Sequence, residues 1–381
     1  MKPLASAVSE MPRSGIRVIM DLAMKIPGAI HLEIGQPNFP TPQHISEAAY
    51  QAALNGFTGY APNAGLPALR EAIVEKVRRD NGIQAGIDNV IVTTGGMGGL
   101  FSSLTALLEP GDEVLLPDPG YPNFEMVARL CRASVVRYPL DPERSFQPCL
   151  EALPELVSSR TKAILVNSPS NPTGAVIPAE TMAALITFAG QHDLYLVSDE
   201  CYEKIVFGAR HVSPASLDAS GRVISIFSFS KTYAMTGWRV GYVVAAAEIA
   251  AVVSKLQEAT VACTSSISQK AAEAALTGSQ DCVSAMVAAY KRRRDQALAI
   301  LKKNQLCSYV PEGAFYLLVD ISRYSHDSDR FARELLEKEK VAVAPGRTFG
   351  PGGQKYIRIS LATDDQNLVT GLERVCHLIN G

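Results

Sequence analysis

The sequence predicts an α/β chain: a large domain on a mostly parallel, seven-stranded sheet covered by helices, plus a smaller α+β domain. Three observations carry this. From about residue 90 to 245 one pattern repeats, a short β-branched run, a break of Gly, Pro, Asp or Asn, then a helical stretch. After about residue 275 the pattern gives way to long helices and isolated strand-like runs. The composition is globular, with 381 residues, 47% apolar and 19% charged, a length at which folding buries roughly three quarters of the unfolded surface.

In chain order, Gly65–Asp80 puts Leu66, Leu69, Ile73 and Val77 at helical spacing with charges on the other face. The strand runs are VIVTT (90–94), EVLLP (113–117), SVVRY (134–138), KAILVN (162–167), LYLVSD (194–199), RVISIFSF (222–229) and RVGYVV (239–244). Such near-continuous apolar runs suit strands buried on both faces. Helices between them, such as Ala179–Gln191, imply parallel crossovers. The later region reads as a long helix Asp281–Asn304, a strand FYLLVD, a charged helix Asp329–Lys340, and strands VAVAP and YIRISLA. The basic cluster Lys291–Arg294 on the long helix reads as a solvated face.

Charge and cysteine usage remove several functions. With 36 Lys+Arg against 38 Asp+Glu the net charge is -2, which lacks the electrostatic footprint of a nucleic-acid binder. The seven cysteines are odd in number, spread out and never C-x-x-C, so neither a disulfide framework nor a zinc ribbon is expected. The histidines form no H-E-x-x-H, and no metal site is expected. The N-terminal stretch has no apolar signal core, and the apolar span Val240–Ser254 carries Glu248 and is too short to cross a bilayer. A cytoplasmic protein is expected.

In open α/β sheets ligands collect outside the carboxyl ends of the strands, and here those ends carry the unusual residues. VIVTT leads into Gly95-Gly96-Met97-Gly98-Gly99 before an apolar helix, EVLLP into Asp118-Pro119-Gly120-Tyr121, and KAILVN into SPSNPTG (168–174). LYLVSD ends at Asp199 with Tyr202 three residues on, and RVISIFSF runs into Ser230-Lys231. The glycine run exposes backbone N–H groups at a helix start, which suits a phosphate; no G-x-G-x-x-G or Walker motif accompanies it, so a smaller cofactor than a dinucleotide is indicated. Lys231 follows a strongly apolar strand, where desolvation favours the neutral, nucleophilic amine. A lysine able to join a carbonyl, flanked by Ser228, Ser230 and Arg239 as phosphate donors, is what pyridoxal phosphate requires. Asp199 would hold the proton on the pyridine nitrogen, and Tyr202 would donate to the ring's phenolate oxygen. Cys201 reads as a packed thiol.

SFSKTYAMTGWRVG (228–241) resembles the lysine-attachment signature of the class I/II pyridoxal-phosphate-dependent aminotransferases, the fold type I family. SPSNPTG, SDECY (198–202) and APGRTFG (344–350) resemble further blocks of that family in its order, and the likeness runs from IGQPNF (34–39) to YIRISLA (356–362). Within that family the chain is similar to the aspartate/aromatic subgroup. The resemblance implies that Lys231 holds the cofactor and carries the 1,3-proton, that Asp199 pairs with the pyridine N–H, and that Tyr202 and Asn171 contact the ring oxygen. It implies that Tyr121 stacks on the ring, that Gly96, Met97, Ser228, Ser230 and Arg239 hold the phosphate, and that Tyr60 reaches the phosphate of a neighbouring subunit in a homodimer with shared active sites. Arg358 would bind the substrate α-carboxylate, assisted by Gly35 and Asn171, and the Asn171–Pro172 bond would be cis. The chain would divide into a cofactor-binding domain at 46–275 and a small domain formed by 1–45 and 276–381.

The expected reaction is transfer of the amino group of an L-amino acid to a 2-oxo acid by a ping-pong cycle. The same apparatus also serves β-eliminating lyases and enzymes resembling the cyclising synthase for aminocyclopropane carboxylate, since the choice rests on which Cα bond stands perpendicular to the ring. A non-catalytic regulatory relative is the distant alternative; such relatives carry an added DNA-binding domain and would be expected to lose the lysine. In the family's aspartate-using members a lysine after the paired glycines helps bind the acidic side chain. Here that position is Met97, which suits a neutral, aromatic or aliphatic side chain, while Arg13 and Arg17 in the N-terminal segment keep an acidic one open.

Overall fold

A computed structural model describes every residue of the chain except 1, 3, 10 and 12. All seven expected runs form strands of one sheet, and a two-residue strand at its edge adds an eighth. In chain order they are β1 (Val90–Thr93), β2 (Glu113–Asp118), β3 (Ser134–Asp141), β4 (Gln147–Pro148), β5 (Thr161–Asn167), β6 (Tyr195–Asp199), β7 (Val223–Ser228) and β8 (Gly241–Val244). Their order in space is β1-β8-β7-β6-β5-β2-β3-β4. Strands β3, β2, β5, β6 and β7 are mutually parallel. Strand β8 runs against both its neighbours, and β4 against β3.

The apolar runs without polar alternation are explained by the layers. Val114, Leu116, Leu165 and Val197 face one way and pack under helices α1 (Gly95–Leu107), α2 (Pro122–Leu130) and α3 (Ala247–Thr260), through Leu100, Leu104, Val127, Ile249 and Val253. Their neighbours Leu115, Ile164, Val166 and Leu196 face the other way, against Met182, Leu185 and Ala189 of the helix Ala179–Gln191. Successive side chains alternate across a strand, so a strand covered on both sides must be apolar at every position. Each such side chain is worth roughly 1.5–3 kcal/mol, which fixes the register of the central strands and therefore the height of their carboxyl ends.

The smaller α+β part contains β9 (Tyr316–Asp320), β10 (Ala344–Pro345) and β11 (Tyr356–Ser360), antiparallel in the order β9-β11-β10. The two-residue strand Ile30–His31 pairs in parallel with Val341–Ala342. Ile19, Ile30 and Leu32 share one core with Phe331, Ile357 and Leu372, so the two chain ends are packed together.

Two details differ from expectation. The solvated face holds for Lys291 and Arg292, whereas Arg293 and Arg294 are buried. Arg293 bonds Asp365 at 2.8 Å and Asn38 at 2.9 Å, and Arg294 bonds Asp295 and the Pro311 carbonyl. Four consecutive residues at 3.6 per turn point all round a helix, so two of the four cationic groups had to turn inward and find partners. The 65–80 segment forms an α-helix only over Pro67–Lys76, followed by a wider turn Val77–Asn81, and Lys76, expected among the exposed charges, is buried.

Candidate active site

The carboxyl ends of β5, β6 and β7, the start of α1 and the rim of the smaller part enclose a cavity of about 1310 Å³. Gly96 and Met97 reach it from the first turn of α1, Tyr121 from just before α2, Asn171 from the loop after β5, and Asp199 and Tyr202 from the end of β6. Ser228 reaches it from the end of β7, and Ser230, Lys231 and Arg239 from the segment that follows. Gly35 and Arg358 enter from the side of the smaller part. Of the expected site residues Tyr60 alone does not line this cavity; its side chain stands 93% exposed.

One corner is shaped for a group that approaches backbone closely. Gly95 has φ +74°, and a Cβ there would meet Arg239 Nη2 at 2.7 Å; one on Gly96 would meet Cys201 Sγ at 2.7 Å, and one on Gly241 the Gly95 carbonyl carbon at 2.7 Å. Only glycine fits these positions. Thr94 caps α1 with no side-chain hydrogen bond, which leaves the positive helix end to a ligand. Ser228 Oγ accepts from Ser230 N–H at 3.2 Å. Arg239, in a left-handed backbone conformation, donates to the carbonyls of Thr236 and Thr94, and no acidic side chain pairs with it among the described residues. Hydroxyls, amides and an unpaired guanidinium at a helix start fit a phosphate.

Lys231 Nζ donates to the Gly35 carbonyl at 2.6 Å. Desolvation pulls its pKa down to about 8; the guanidinium groups of Arg358 and Arg239 push the same way, and Cys201 and Asp199 oppose. Asp199 is held by Cys201 N–H on its Oδ1 at 3.1 Å, and Asn167 Nδ2 donates to its carbonyl at 2.9 Å. Desolvation pushes the Asp199 carboxyl above the usual range, with the Cys201 contacts and Lys231 opposing, so a cation brought against it would be strongly held. Tyr202 bonds Tyr316 through their hydroxyls at 3.0 Å, and burial raises both phenols.

Arg358 is 1% exposed on β11. Its Nη1 donates to Asn171 Oδ1 at 3.0 Å and its Nη2 to the Glu33 carbonyl, while Nε has no partner. Its guanidinium lies 4.3 Å from the centroid of the Tyr316 ring and 5.0 Å from that of Phe349. A buried guanidinium without a carboxylate partner is costly, and the vacant edge fits a substrate carboxylate. The Asn171–Pro172 bond is cis, as are Asp118–Pro119 and Ser168–Pro169.

Tyr316 was not among the expected site residues. It sits in an aliphatic strand that reads as core, and its one signal is a hydroxyl where a buried position demands a partner. Asn167 also gave no sign: its Oδ1 accepts from Asn171 N–H at 2.7 Å, tying two site loops together. Across the cavity, the N-terminal segment contributes Met11, Arg17, Met20 and Met24, facing Met97 and Met126.

The profile of the family "Aminotransferase class I and II" matches residues 27–375. The chain belongs to the class I and II aminotransferases. It is 38% identical over 381 residues to the aspartate aminotransferase of Pyrococcus horikoshii, covering 99% of this chain and 97% of that one. It is 40% identical over 354 residues to the aspartate/prephenate aminotransferase of Thermus thermophilus, covering 92% and 91%. The solved structure of a Thermus thermophilus aspartate aminotransferase with maleate superposes with a TM-score of 0.95 at 38% identity, covering 99% and 100%. An aromatic aminotransferase from Pyrococcus horikoshii gives 0.90 at 37%, covering 96% and 98%. This aminotransferase works with pyridoxal 5'-phosphate and moves the amino group of an L-amino acid to a 2-oxo acid in a ping-pong cycle. The glycine-lined corner, the unpaired Arg239 and the lysine beside them fit that cofactor. Elimination and cyclisation are not favoured by these relatives, nor is a regulatory role.

Proposed function

We propose the following division of labour in this aminotransferase. The cofactor, when bound, supplies an electron sink for the charge that develops at the substrate Cα. Gly96, Met97, Ser228, Ser230 and Arg239 hold its phosphate, and Tyr60 reaches the phosphate of the neighbouring subunit. Tyr121 stacks on the ring. Asp199 holds the ring-nitrogen proton, while Tyr202 and Asn171 contact the ring oxygen. Lys231 attaches the cofactor through Nζ and afterwards moves a proton at that same atom. Arg358 forks the α-carboxylate, with Asn171 and the Gly35 backbone beside it. The observation that carries this reading is the meeting of Lys231, Asp199 and the partnerless edge of Arg358 in one cavity.

The substrate side chain, in this reading, is neutral, aromatic or aliphatic, because it would meet Met97, Met126 and Met20, and polarizable thioethers adapt to irregular apolar groups. A second reading rests on Arg17: it lines the cavity with no acidic partner among the described residues, its contact being Met20 Sδ at 3.8 Å, and relatives are named for aspartate. A panel of amino donors against 2-oxoglutarate decides. The Met97 reading expects kcat/KM for phenylalanine, tyrosine or leucine to exceed that for aspartate; a clear preference for aspartate overturns it. Pyruvate and ammonia released without an acceptor would overturn transamination itself.

The division into 46–275, and 1–45 with 276–381, belongs to this proposal. Ile45 and Ala49 pack with Ala271 and Ala272 of the large part, which supports a boundary near residue 45. The homodimer is supported by Tyr50, Leu54, Phe57 and Tyr60, exposed along one stretch, an arrangement that suits an interface. Sedimentation equilibrium at twice the chain mass is the expected result. We place the enzyme in the cytoplasm with no nucleic-acid or membrane partner; no helix among the described residues is long and apolar enough to cross a membrane.

A further inference from the structure

Behind the turn Asp199–Glu203 lies a buried group of charges that the reaction does not use. Asp199 and Tyr202 line the cavity, whereas Glu200 and Glu203 belong to this second group. The Glu200 side chain has no exposed surface. Its Oε2 accepts from Ser213 Oγ and contacts His211 Nε2 at 2.8 Å. Glu200 Oε1 and His211 Nδ1 are buried without partners, so the Oε2–Nε2 contact is the one link between the two side chains. Glu203 accepts from Lys76 Nζ and, at 2.6 Å, from Asn81 Nδ2. Asn81 joins the halves: its Oδ1 accepts from Lys76 and its Nδ2 donates to Ser213 Oγ, each at 2.8 Å.

Charge counting then has a consequence. Two carboxylates face one ammonium, Lys76, so one negative charge stays buried unless a proton resides on the Glu200–His211 pair. The other charges nearby reach water: Lys204 and Arg79 pair with Asp80 at 2.8 Å, and both cations are partly exposed, so solvent takes up their one surplus positive charge; burial keeps the phenols of Tyr233 and Tyr242 protonated. On the cavity side stand Asp199, Cys201 and Lys231. A lone charge in such surroundings is strongly disfavoured, and a negative one on Glu200 adds to the desolvation that already drives the adjacent Asp199 toward its neutral form.

We propose that His211 is a positioning residue for the cofactor: it and Glu200 share one proton beyond the neutral imidazole's own, and this keeps the floor beneath Asp199 neutral so that Asp199 stays anionic toward the ring nitrogen. The proposal rests on the role given to Asp199 above. The test is titration of cofactor-free enzyme with pyridoxal 5'-phosphate at fixed pH, read by absorbance, for wild type, H211Q, E200Q and E200Q/H211Q. H211Q loosens the cofactor about tenfold, the size of a one-unit shift in carboxylate protonation. E200Q alone and the double variant stay within about twofold of wild type, because no charge remains to be neutralised. Equal loosening in H211Q and the double variant overturns the proposal, as does unchanged binding in H211Q. If H211Q does not fold, a loosened cofactor in a folded double variant overturns it and wild-type affinity there supports it. A wild-type chain that fails to bind the cofactor through Lys231 overturns the underlying site reading instead.

Discussion

Two walls face each other across the cavity and are held in different ways. The floor is made of strand ends. Asp199 closes β6 inside the parallel ladder, and Asn167 bonds both the Asp199 carbonyl and the Asn171 N–H. Ser228 ends β7, whose side chains before it are buried on both faces, and Lys231 follows three residues on. The opposite wall is the helix Gly15–Ala23, which buries Ile19 and Ala23. Its ion pair Arg13–Asp21 is exposed, and its Arg17 touches a methionine sulfur. Atoms that must sit within a few tenths of an ångström of a reacting bond are placed where the sheet leaves them no freedom. Atoms that select a side chain are placed where little holds them, so they can be exchanged at small cost to the fold.

That contrast can be broken by substitution. Lys231→Ala on the floor is expected to give the largest effect, a fall in kcat of about ten-thousand-fold, with loss of the visible absorbance of bound cofactor and little change in Tm. Arg358→Ala comes next: on the order of 3 kcal/mol, about 100-fold in kcat/KM for every substrate alike, since every substrate carries the α-carboxylate. An effect confined to one donor would move Arg358 to the selecting wall. The lowered pKa of Lys231, about 8, fixes a pH dependence for capture of the cofactor by the free chain. Below pH 8 the amine is protonated, so the rate rises about tenfold per pH unit toward 8 and levels off above it. A rate still climbing tenfold per unit beyond pH 9, followed by stopped-flow absorbance, would mean an ordinary lysine. Facing the opposite wall from the start of α1, Met97→Lys is expected to raise kcat/KM for aspartate relative to phenylalanine by roughly tenfold, about 1.4 kcal/mol, measured on enzyme saturated with the cofactor. Arg17→Ala, the smallest, should alter acidic donors by about threefold and apolar ones hardly at all.

Much of the floor was readable along the chain, because its residues are consecutive in sequence with the strands that position them. A buried strand ending in Asp, or running into Ser-Phe-Ser-Lys, marks both the element and the ligand side of the sheet, and twelve of the thirteen expected site residues line one cavity. The exception, Tyr60, sits on an exposed surface, where its role depends on a second chain. Tyr316, Asn167 and the methionine wall were not readable, since nothing local distinguishes a cavity tyrosine or a loop-tying asparagine from a core or turn residue. The same holds for Lys76, Arg293 and Arg294, whose spacing suggests solvent and whose partners lie at Glu203, Asp365 and Pro311.

The sequence by itself determined the layered sheet, the side of it that binds, and the chemical kinds of group that gather there, because periodicity and residue type are local properties. Tertiary structure alone decided which of those groups meet. Arg358 reaches Asn171 across 187 positions of chain, and Glu200 finds His211 on the following loop, inside a layer that no pattern of polarity announces. Burial removes water as the partner of every charge it covers, so the pairing of each buried group is set by what the fold brings beside it.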